Sequence, residues 1–368
     1  MNKRRKIRVC FVSFKAYPIF NPEVPKIFGG AEVDLYLLAT ELAKDDRFSV
    51  SFVVGDYGQP DGEVRQGVCL YKSVKTDRFM LLEGGAVWRA LKRANADIYM
   101  HEACSLGTTL AAAFFKRHNR KFVYRTAHTR ETDGTYFRRH PIRRYFVKWA
   151  FRQADVLITQ NEKDVANMQR TVGRTPIVIR NACHLSSTSQ SRKDGSILWA
   201  GRSMPVKRPD MFLDLAKAFP QKTFTMICQQ GTGDNTYEQL AAQAGQIANL
   251  TFIRRVPFHE TDRYFEQAAV FVNTSDSEGF PNTFVQAAKS GTPILSLRVN
   301  PDDFLDAHHC GRCAEGNWEH FCQMLGELTD TPLGSELGQN GRDYIQKHHD
   351  IKTITETYKT IFIELHGD

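Results

Sequence analysis

Residues 275–286, Ser-Asp-Ser-Glu-Gly-Phe-Pro-Asn-Thr-Phe-Val-Gln, hold the densest chemistry of the chain. The apolar run 268–272 before them reads as a buried strand, 284–288 reads as a helix, and 291–297 reads as the next strand. A carboxylate (Glu278), a glycine and a proline therefore fall on a strand-to-helix turn, where open α/β sheets bind ligands. The start of a helix offers unpaired N–H groups and a partial positive charge, which suit a phosphate. Glu278 beside those amides can accept hydrogen bonds from the hydroxyls of whatever carries the phosphate. Carboxylate plus amides point to a sugar joined to a nucleotide.

The turn resembles the donor-binding signature of retaining GT-B glycosyltransferases, glycosyltransferase family 4. That signature runs Glu-Gly-Phe-Pro-Asn, with a second Glu eight positions after the first, then Ala and Gly-Thr-Pro before a strand. Glu278, Gly279, Phe280, Pro281 and Asn282 match it, Gly291-Thr292-Pro293 follows, and Gln286 replaces the second Glu. The plain alternative is an ordinary strand-loop-helix with Pro281 as a turn residue. A second match lies upstream, where 197–202 reads as a strand ending in Gly201-Arg202, with Lys207 five residues on. The resemblance implies that Arg202 and Lys207 grip the donor diphosphate. Two phosphates and a leaving group gaining charge need fixed cations; exposed loop charges are the plain alternative. The implied donor-binding set is Gly29, Gly30, Gly201, Arg202, Lys207, Glu278, Gly279, Phe280, Pro281, Asn282, Thr283 and Gln286.

Gly29-Gly30 open a helix after the first strand and its long loop, and two glycines let backbone amides come close to a ligand. By resemblance this loop lies over the donor phosphates and borders the acceptor; a flexible connection is the plain alternative. Two histidines follow strands. His128, after 121–126, matches a histidine that lies near donor sugar and acceptor in related enzymes, so it joins Glu278, Arg202 and Lys207 as a candidate catalytic residue. His101 is expected to be a loop residue shaping the cleft, and Asn181 resembles the structural asparagine that starts the crossover between domains. An amide at Gln286 still accepts a hydrogen bond, with an altered grip on the ribose. Cys228 and Arg254 stand at frequent glycine positions near the nucleotide. UDP and GDP both remain open.

The elements that must position these residues alternate strand and helix. Strands are predicted at 7–14, 50–54, 97–100, 121–126, 156–159 and 177–179, and helices at 31–44, 86–94, 108–117, 143–153 and 162–171. Such alternation means a mostly parallel sheet covered on both faces. The polar stretch 184–195 reads as a linker, after which the pattern restarts at 197–200, 210–218, 224–228, 237–244 and 250–253. A last helix is predicted at about 351–365. The fold class is therefore α/β. The resemblance implies GT-B: two Rossmann-like α/β/α domains facing across a cleft, with the C-terminal helix crossing back to the first. The expected domains are 1–183 (acceptor-binding, with the helix at about 351–368) and 196–350 (nucleotide-sugar-binding).

At 368 residues the chain is long enough for two cores. Nothing in it approaches the length of apolar sequence that spans a membrane. Residues 1–6 are basic, but 7–14 contains Arg8 and meets Lys15, too polar for an export segment. A cytoplasmic protein, peripheral at the inner face of the membrane, is expected. The eight cysteines are scattered and expected to be reduced core residues. Cys310 and Cys313, with His308, His309, His320 and Cys322 nearby, have metal-like spacing. No second C-x-x-C exists, and no metal site is assigned.

The net charge of +8 is uneven: residues 1–185 hold 32 Lys and Arg against 18 Asp and Glu, and the rest 17 against 23. Much of the excess lies at 138–149, where Arg138, Arg139, Arg143, Arg144 and Lys148 interleave with aromatics. This reads as a basic amphipathic helix for an anionic membrane surface, or as one packing its aromatics inward. No motif for nucleic acid accompanies it. The function expected is transfer of a sugar from a UDP- or GDP-linked donor to a sugar or lipid-linked glycan acceptor, with retention, in surface polysaccharide or glycolipid assembly. No other cofactor is expected, and fixed cations stand where a metal would. The alternatives are a non-catalytic nucleotide-binding or scaffolding subunit and a nucleotide-sugar epimerase.

Overall fold

Along the first strand, β1 (Ile7–Val12), successive side chains enter different cores. Val9 and Phe11 pack on one face of the sheet and Cys10 and Val12 on the other, as the two-residue period of a strand requires. The computed structural model describes residues 5–75, 83–185, 194–231 and 233–367. The chain divides into two units: Met1–Ala182 with Ile351–Asp368, and Cys183–Asp350. Most of the stretch read as a linker, 186–193, lies outside the described residues.

In the first unit β1 is followed by α1 (Tyr17–Phe20), α2 (Gly30–Leu42), β2 (Phe48–Asp56), β3 (Glu63–Arg65), β4 (Val68–Lys75) and α3 (Gly84–Ala94). Then come β5 (Ile98–Glu102), α4 (Leu106–Arg117), β6 (Lys121–Arg125), α5 (Thr135–Arg139), α6 (Arg143–Gln153), β7 (Val156–Thr159), α7 (Glu162–Val172) and β8 (Ile177–Val178). The strand order is β3-β4-β2-β1-β5-β6-β7-β8, with only β3 antiparallel to its neighbour. The β3–β4 hairpin was not anticipated. It turns on Gln66 and Gly67, both at positive φ, the conformation that a two-residue hairpin loop needs.

The second unit contains β9 (Ile197–Arg202), α8 (Pro209–Ala218), β10 (Phe224–Gln229), α9 (Tyr237–Gly245), β11 (Leu250–Ile253), α10 (Asp262–Gln267) and β12 (Val270–Asn273). It continues with α11 (Asn282–Lys289), β13 (Ile294–Ser296), α12 (Phe304–Ala307), β14 (Gly311–Cys313), α13 (Trp318–Asp330) and α14 (Leu333–His348). All strands are parallel, in the order β11-β10-β9-β12-β13-β14. This is the arrangement of a dinucleotide-binding sheet. Gly311 is required by packing, because a Cβ there would lie 2.1 Å from the Ile294 carbonyl oxygen on the neighbouring strand.

The final helix, α15 (Ile351–Gly367), belongs to the first unit. Its Ile354, Tyr358, Phe362 and Leu365 join the core that also holds Leu35, Leu38 and Leu42 of α2. Among the described residues no helix is long and apolar enough to cross a membrane.

Candidate active site

The strand order of the second unit reverses between β9 and β12, and ligands of open α/β sheets bind beyond the strand ends at such a point. β9 ends there in Gly201 and Arg202. A Cβ on Gly201 would come 2.9 Å from the Trp199 ring, so glycine lets the indole lie along the strand. The Trp199 Nε1–H then donates to Thr274 Oγ1 at 2.9 Å. The Thr274 hydroxyl in turn lies 2.8 and 2.9 Å from the carbonyl oxygens of Lys207 and Arg208. The Asp276 N–H donates to the Val206 carbonyl at 2.8 Å. The short 3-10 turn Pro205–Lys207 is thereby stitched to the loop that follows β12.

That stitching puts Lys207 against Glu278. Their ammonium and carboxylate are directly paired, and Ser275 Oγ donates to the same Glu278 oxygen at 2.7 Å. The Glu278 side chain is 9% exposed and that of Lys207 26%. Arg202 is half-buried, and its guanidinium makes no hydrogen bond or ion pair among the described residues. α11 starts at Asn282, two residues before the predicted start, with Pro281 as its cap and the Phe284 N–H returning to the Pro281 carbonyl. Gly279 is buried and Thr283 half-buried beside them. The Phe280 ring is buried between Phe304 and His349, each 5.3 Å away. It anchors the turn from inside, so only its backbone is left to meet a ligand.

Gln286 is held by Thr261, to whose Oγ1 its Nε2–H donates at 2.9 Å. The Thr261 hydroxyl gives its own proton to the Phe258 carbonyl at 2.7 Å. Gln286 is thus fixed by donation and keeps its carbonyl oxygen for accepting. Arg254 forks onto Glu238 at 2.7 and 2.8 Å and lies over the Tyr237 ring. Cys228 is buried in the core.

In the first unit Gly29 caps α2, and its N–H donates to Glu32 Oε2 at 2.7 Å, while Ser13 Oγ donates to Glu32 Oε1 at 3.1 Å. Glu32 therefore fixes the Gly29-Gly30 loop to the end of β1. His128 caps a 3-10 turn, Thr129–Glu131, and its Nδ1 accepts the Arg130 N–H at 3.0 Å. With Nδ1 accepting, the neutral ring carries its hydrogen on Nε2.

Two buried carboxylates secure that turn. Glu131 accepts from the Tyr124 hydroxyl at 2.7 Å, the Cys104 N–H at 3.2 Å and the Ala127 N–H at 3.4 Å. Burial lifts its carboxyl to about 7 against those three donors. Asp164 accepts from the hydroxyls of Thr129 and Thr132 at 3.2 and 2.5 Å.

His101 departs from expectation. It lies within β5, not in a loop, and is buried, with Nδ1 at 2.8 Å from the Val12 carbonyl and Nε2 at 3.0 Å from Thr108 Oγ1. Burial holds its pKa below the usual histidine value. It bonds β5 to β1 and α4. Asn181 accepts from Arg125 at 2.6 Å, and Arg125 also reaches Glu102 at 2.5 Å and Asp34 at 3.0 Å, a buried network that supports the end of the unit's sheet.

The cysteines are free thiols. Cys310 donates to the His308 carbonyl at 3.3 Å, and burial pushes its thiol up to about 12. Among the described residues no group of three or more His, Cys, Asp or Glu side chains is arranged to hold a metal ion.

Sequence reading passed over Trp199, Thr274, Ser275, Thr261, Glu131 and Asp164. Only Glu131 and Asp164 left a trace, each an acid three residues after a capping residue (His128 and Asn161), the spacing of a capping box.

The profile of the family Glycosyl transferases group 1 matches residues 186–343, and that of Glycosyltransferase Family 4 matches 28–186. Over 159 residues, 42% of the chain, it is 26% identical to the UDP-N-acetylglucosamine–peptide N-acetylglucosaminyltransferase GtfA subunit of Streptococcus pneumoniae. Over 172 residues, 43% of the chain, it is 24% identical to D-inositol 3-phosphate glycosyltransferase of Acidothermus cellulolyticus. The matched stretches span 30% and 38% of those relatives' own lengths. In fold it is similar to sucrose-phosphate synthase from Thermosynechococcus elongatus, with a TM-score of 0.80 at 14% identity over 98% of this chain and 100% of that one. With two adjoining family profiles from 28 to 343 and this fold, the chain belongs to the group 1 glycosyltransferases of the GT-B type.

Proposed function

We propose that the protein transfers a sugar from a nucleotide diphosphate sugar to an acceptor hydroxyl, with retention at the anomeric carbon. The observation that carries this reading is the Lys207–Glu278 pair, seated where the order of the second sheet reverses. A diphosphate arriving there would meet Lys207, the Arg202 guanidinium and the first amides of α11. These are positive features placed where the leaving group gains charge. They would do the work of a divalent ion, so the reaction is read as metal-independent, with a UDP- or GDP-linked co-substrate.

In the substitution the bond from the anomeric carbon to the diphosphate oxygen breaks. The bond to the acceptor oxygen forms on the same face, and the acceptor proton passes to the departing phosphate oxygen. Glu278 exchanges its ammonium partner for sugar hydroxyls when the phosphates recruit Lys207. His128, with its hydrogen on Nε2, serves as a donor to an acceptor oxygen and not as the base.

The surplus positive charge of residues 1–185 supports an anionic or lipid-linked glycan acceptor, as in surface polysaccharide or glycolipid assembly. The protein would work in the cytoplasm, peripheral at the inner face of the membrane.

A panel of UDP- and GDP-sugars tests the reading, first by thermal shift and then by release of nucleoside diphosphate. At least one donor should be turned over, and turnover should survive thorough chelation. A protein that binds nucleotides but releases none from any donor would instead be a non-catalytic subunit. Activity lost to EDTA and restored by magnesium or manganese would overturn the metal-independent step.

A further inference from the structure

Three of the seven large apolar side chains exposed among the described residues fall within five positions: Ile142 (75% exposed), Tyr145 (64%) and Phe146 (54%). Single exposed hydrophobics are ordinary, whereas a cluster calls for a partner. Their spacing, i, i+3 and i+4, puts them on one side of the first turn of α6. The opposite side, Val147, Ala150 and Phe151, is buried in the core. α6 is thus tied down by one face and presents the other outward at its N-terminal end. The expectation of aromatics packed inward holds for Trp149, which packs against the core, and fails for Tyr145 and Phe146.

The surroundings are cationic. Residues 134–154 contain six Lys and Arg and no Asp or Glu. Arg138, Arg139 and Arg143 are exposed. None of Arg138, Arg139, Arg143, Arg144 or Lys148 pairs with a carboxylate among the described residues. The Arg144 guanidinium lies 4.7 Å from the centre of the Tyr145 ring and donates to its hydroxyl at 2.7 Å. Tyrosine with arginine at its polar end matches the boundary between lipid headgroups and acyl chains.

We propose that Ile142, Tyr145 and Phe146 insert into the interfacial layer of an anionic membrane while Arg138, Arg139, Arg143 and Arg144 contact its headgroups. The inference rests on the membrane reading above and adds the apparatus and its balance of forces. A soluble polyanion would satisfy the arginines and leave three large apolar side chains in water; a lipid surface satisfies both. Because α6 buries its other face, the contact is made by a tip and not by a helix lying flat. Salt screens the arginine share of the affinity and leaves the apolar share. Binding to anionic vesicles should therefore weaken at high salt without vanishing.

The test uses the full chain and sedimentation with vesicles of phosphatidylcholine, with and without phosphatidylglycerol. The wild type should bind the anionic vesicles and retain measurable binding at high salt. The Ile142→Ser/Tyr145→Ser/Phe146→Ser variant should bind about tenfold or more weakly at low salt and release completely at high salt. Arg139→Gln/Arg143→Gln/Arg144→Gln should lose the preference for phosphatidylglycerol. Phe146→Trp should shift its emission to the blue on anionic vesicles and be quenched by brominated acyl chains.

If the serine variant binds like the wild type, or the tryptophan stays in water, the tip inference is overturned and the membrane reading stands. If the wild type ignores anionic vesicles at low salt, both fall together. Wild-type binding to a soluble anionic polysaccharide that needs the arginines but not the tip would overturn the inference in favour of a polyanion site.

Discussion

Lys207 and Glu278 neutralise each other across the turn where the proposed donor binds, and Ser275 shares the carboxylate oxygen that Lys207 holds. The two substitutions at this pair should have opposite effects. Lys207→Ala leaves a nearly buried carboxylate without its cation beside the phosphate position. It should weaken nucleoside diphosphate binding about tenfold or more and leave nucleoside binding unchanged. Glu278→Ala frees the ammonium, so it should preserve or tighten diphosphate binding while abolishing transfer. Calorimetry with diphosphate and nucleoside for each variant checks this. Equal losses for both ligands would show that the pair does not face the phosphates.

His128 acts on the backbone through one nitrogen and is read as acting on ligand through the other. Asparagine retains the acceptor that caps the turn but has no group at the Nε2 position. His128→Asn should melt like the wild type and transfer about tenfold or more slowly, whereas His128→Ala should lose stability as well. Wild-type turnover in the asparagine variant would remove Nε2 from the reaction.

Glu131 makes the first unit sensitive to pH. Its carboxyl is raised from 4.5 to about 7 in the folded protein, chiefly by burial. Folding therefore favours the protonated form. The stability this supplies is complete below about 4.5 and is lost as pH rises through about 7, on the order of 3 kcal/mol in all. Hydrogen exchange of the β6 amides, followed across this range, should show protection falling with pH in the wild type and a flatter profile in Glu131→Gln. Parallel profiles would contradict the assignment.

Gln286→Glu should trade stability for affinity. The Thr261 proton is committed to the Phe258 carbonyl, so a carboxylate at 286 would meet only lone pairs. The loss should be about 1 kcal/mol, or about 2–4 °C in melting temperature. The released carboxylate can accept two ribose hydroxyls where the amide offers one oxygen, so nucleotide binding should tighten. An unchanged melting point together with unchanged affinity would place Gln286 away from the ribose.

The strands and helices that bury a full apolar face were legible, because a run such as 268–272 or a helix such as α15 declares itself by period alone. The β3–β4 hairpin was not, since Gln66-Gly67 carries a weaker turn signal than Asn-Gly. α13 and α14 also went unread. Glu278, Arg202 and Lys207 stood out because their order and spacing match the family's donor-binding signature. What holds Lys207 in place was invisible, since Thr274 is a common polar residue whose partners Trp199 and Lys207 lie some 70 positions away. His101 was expected in a loop because the apolar run of its strand stops at Met100, whereas two buried hydrogen bonds hold it within β5.

The last helix carries a consequence for the order in which the protein is made. Residues 183–350 form one uninterrupted unit, whereas the core around β1, β2 and α2 includes Tyr358 and Phe362 of α15. Lys359 also closes a pair with Asp45 at 3.0 Å. During synthesis, which runs from the N-terminus, the second unit has all its residues before the first does. The half of the chain that leaves the ribosome first is the half completed last. Until residues 351–367 emerge, the apolar face that α15 covers stays open, and a chain cut short at 350 would keep it open for good.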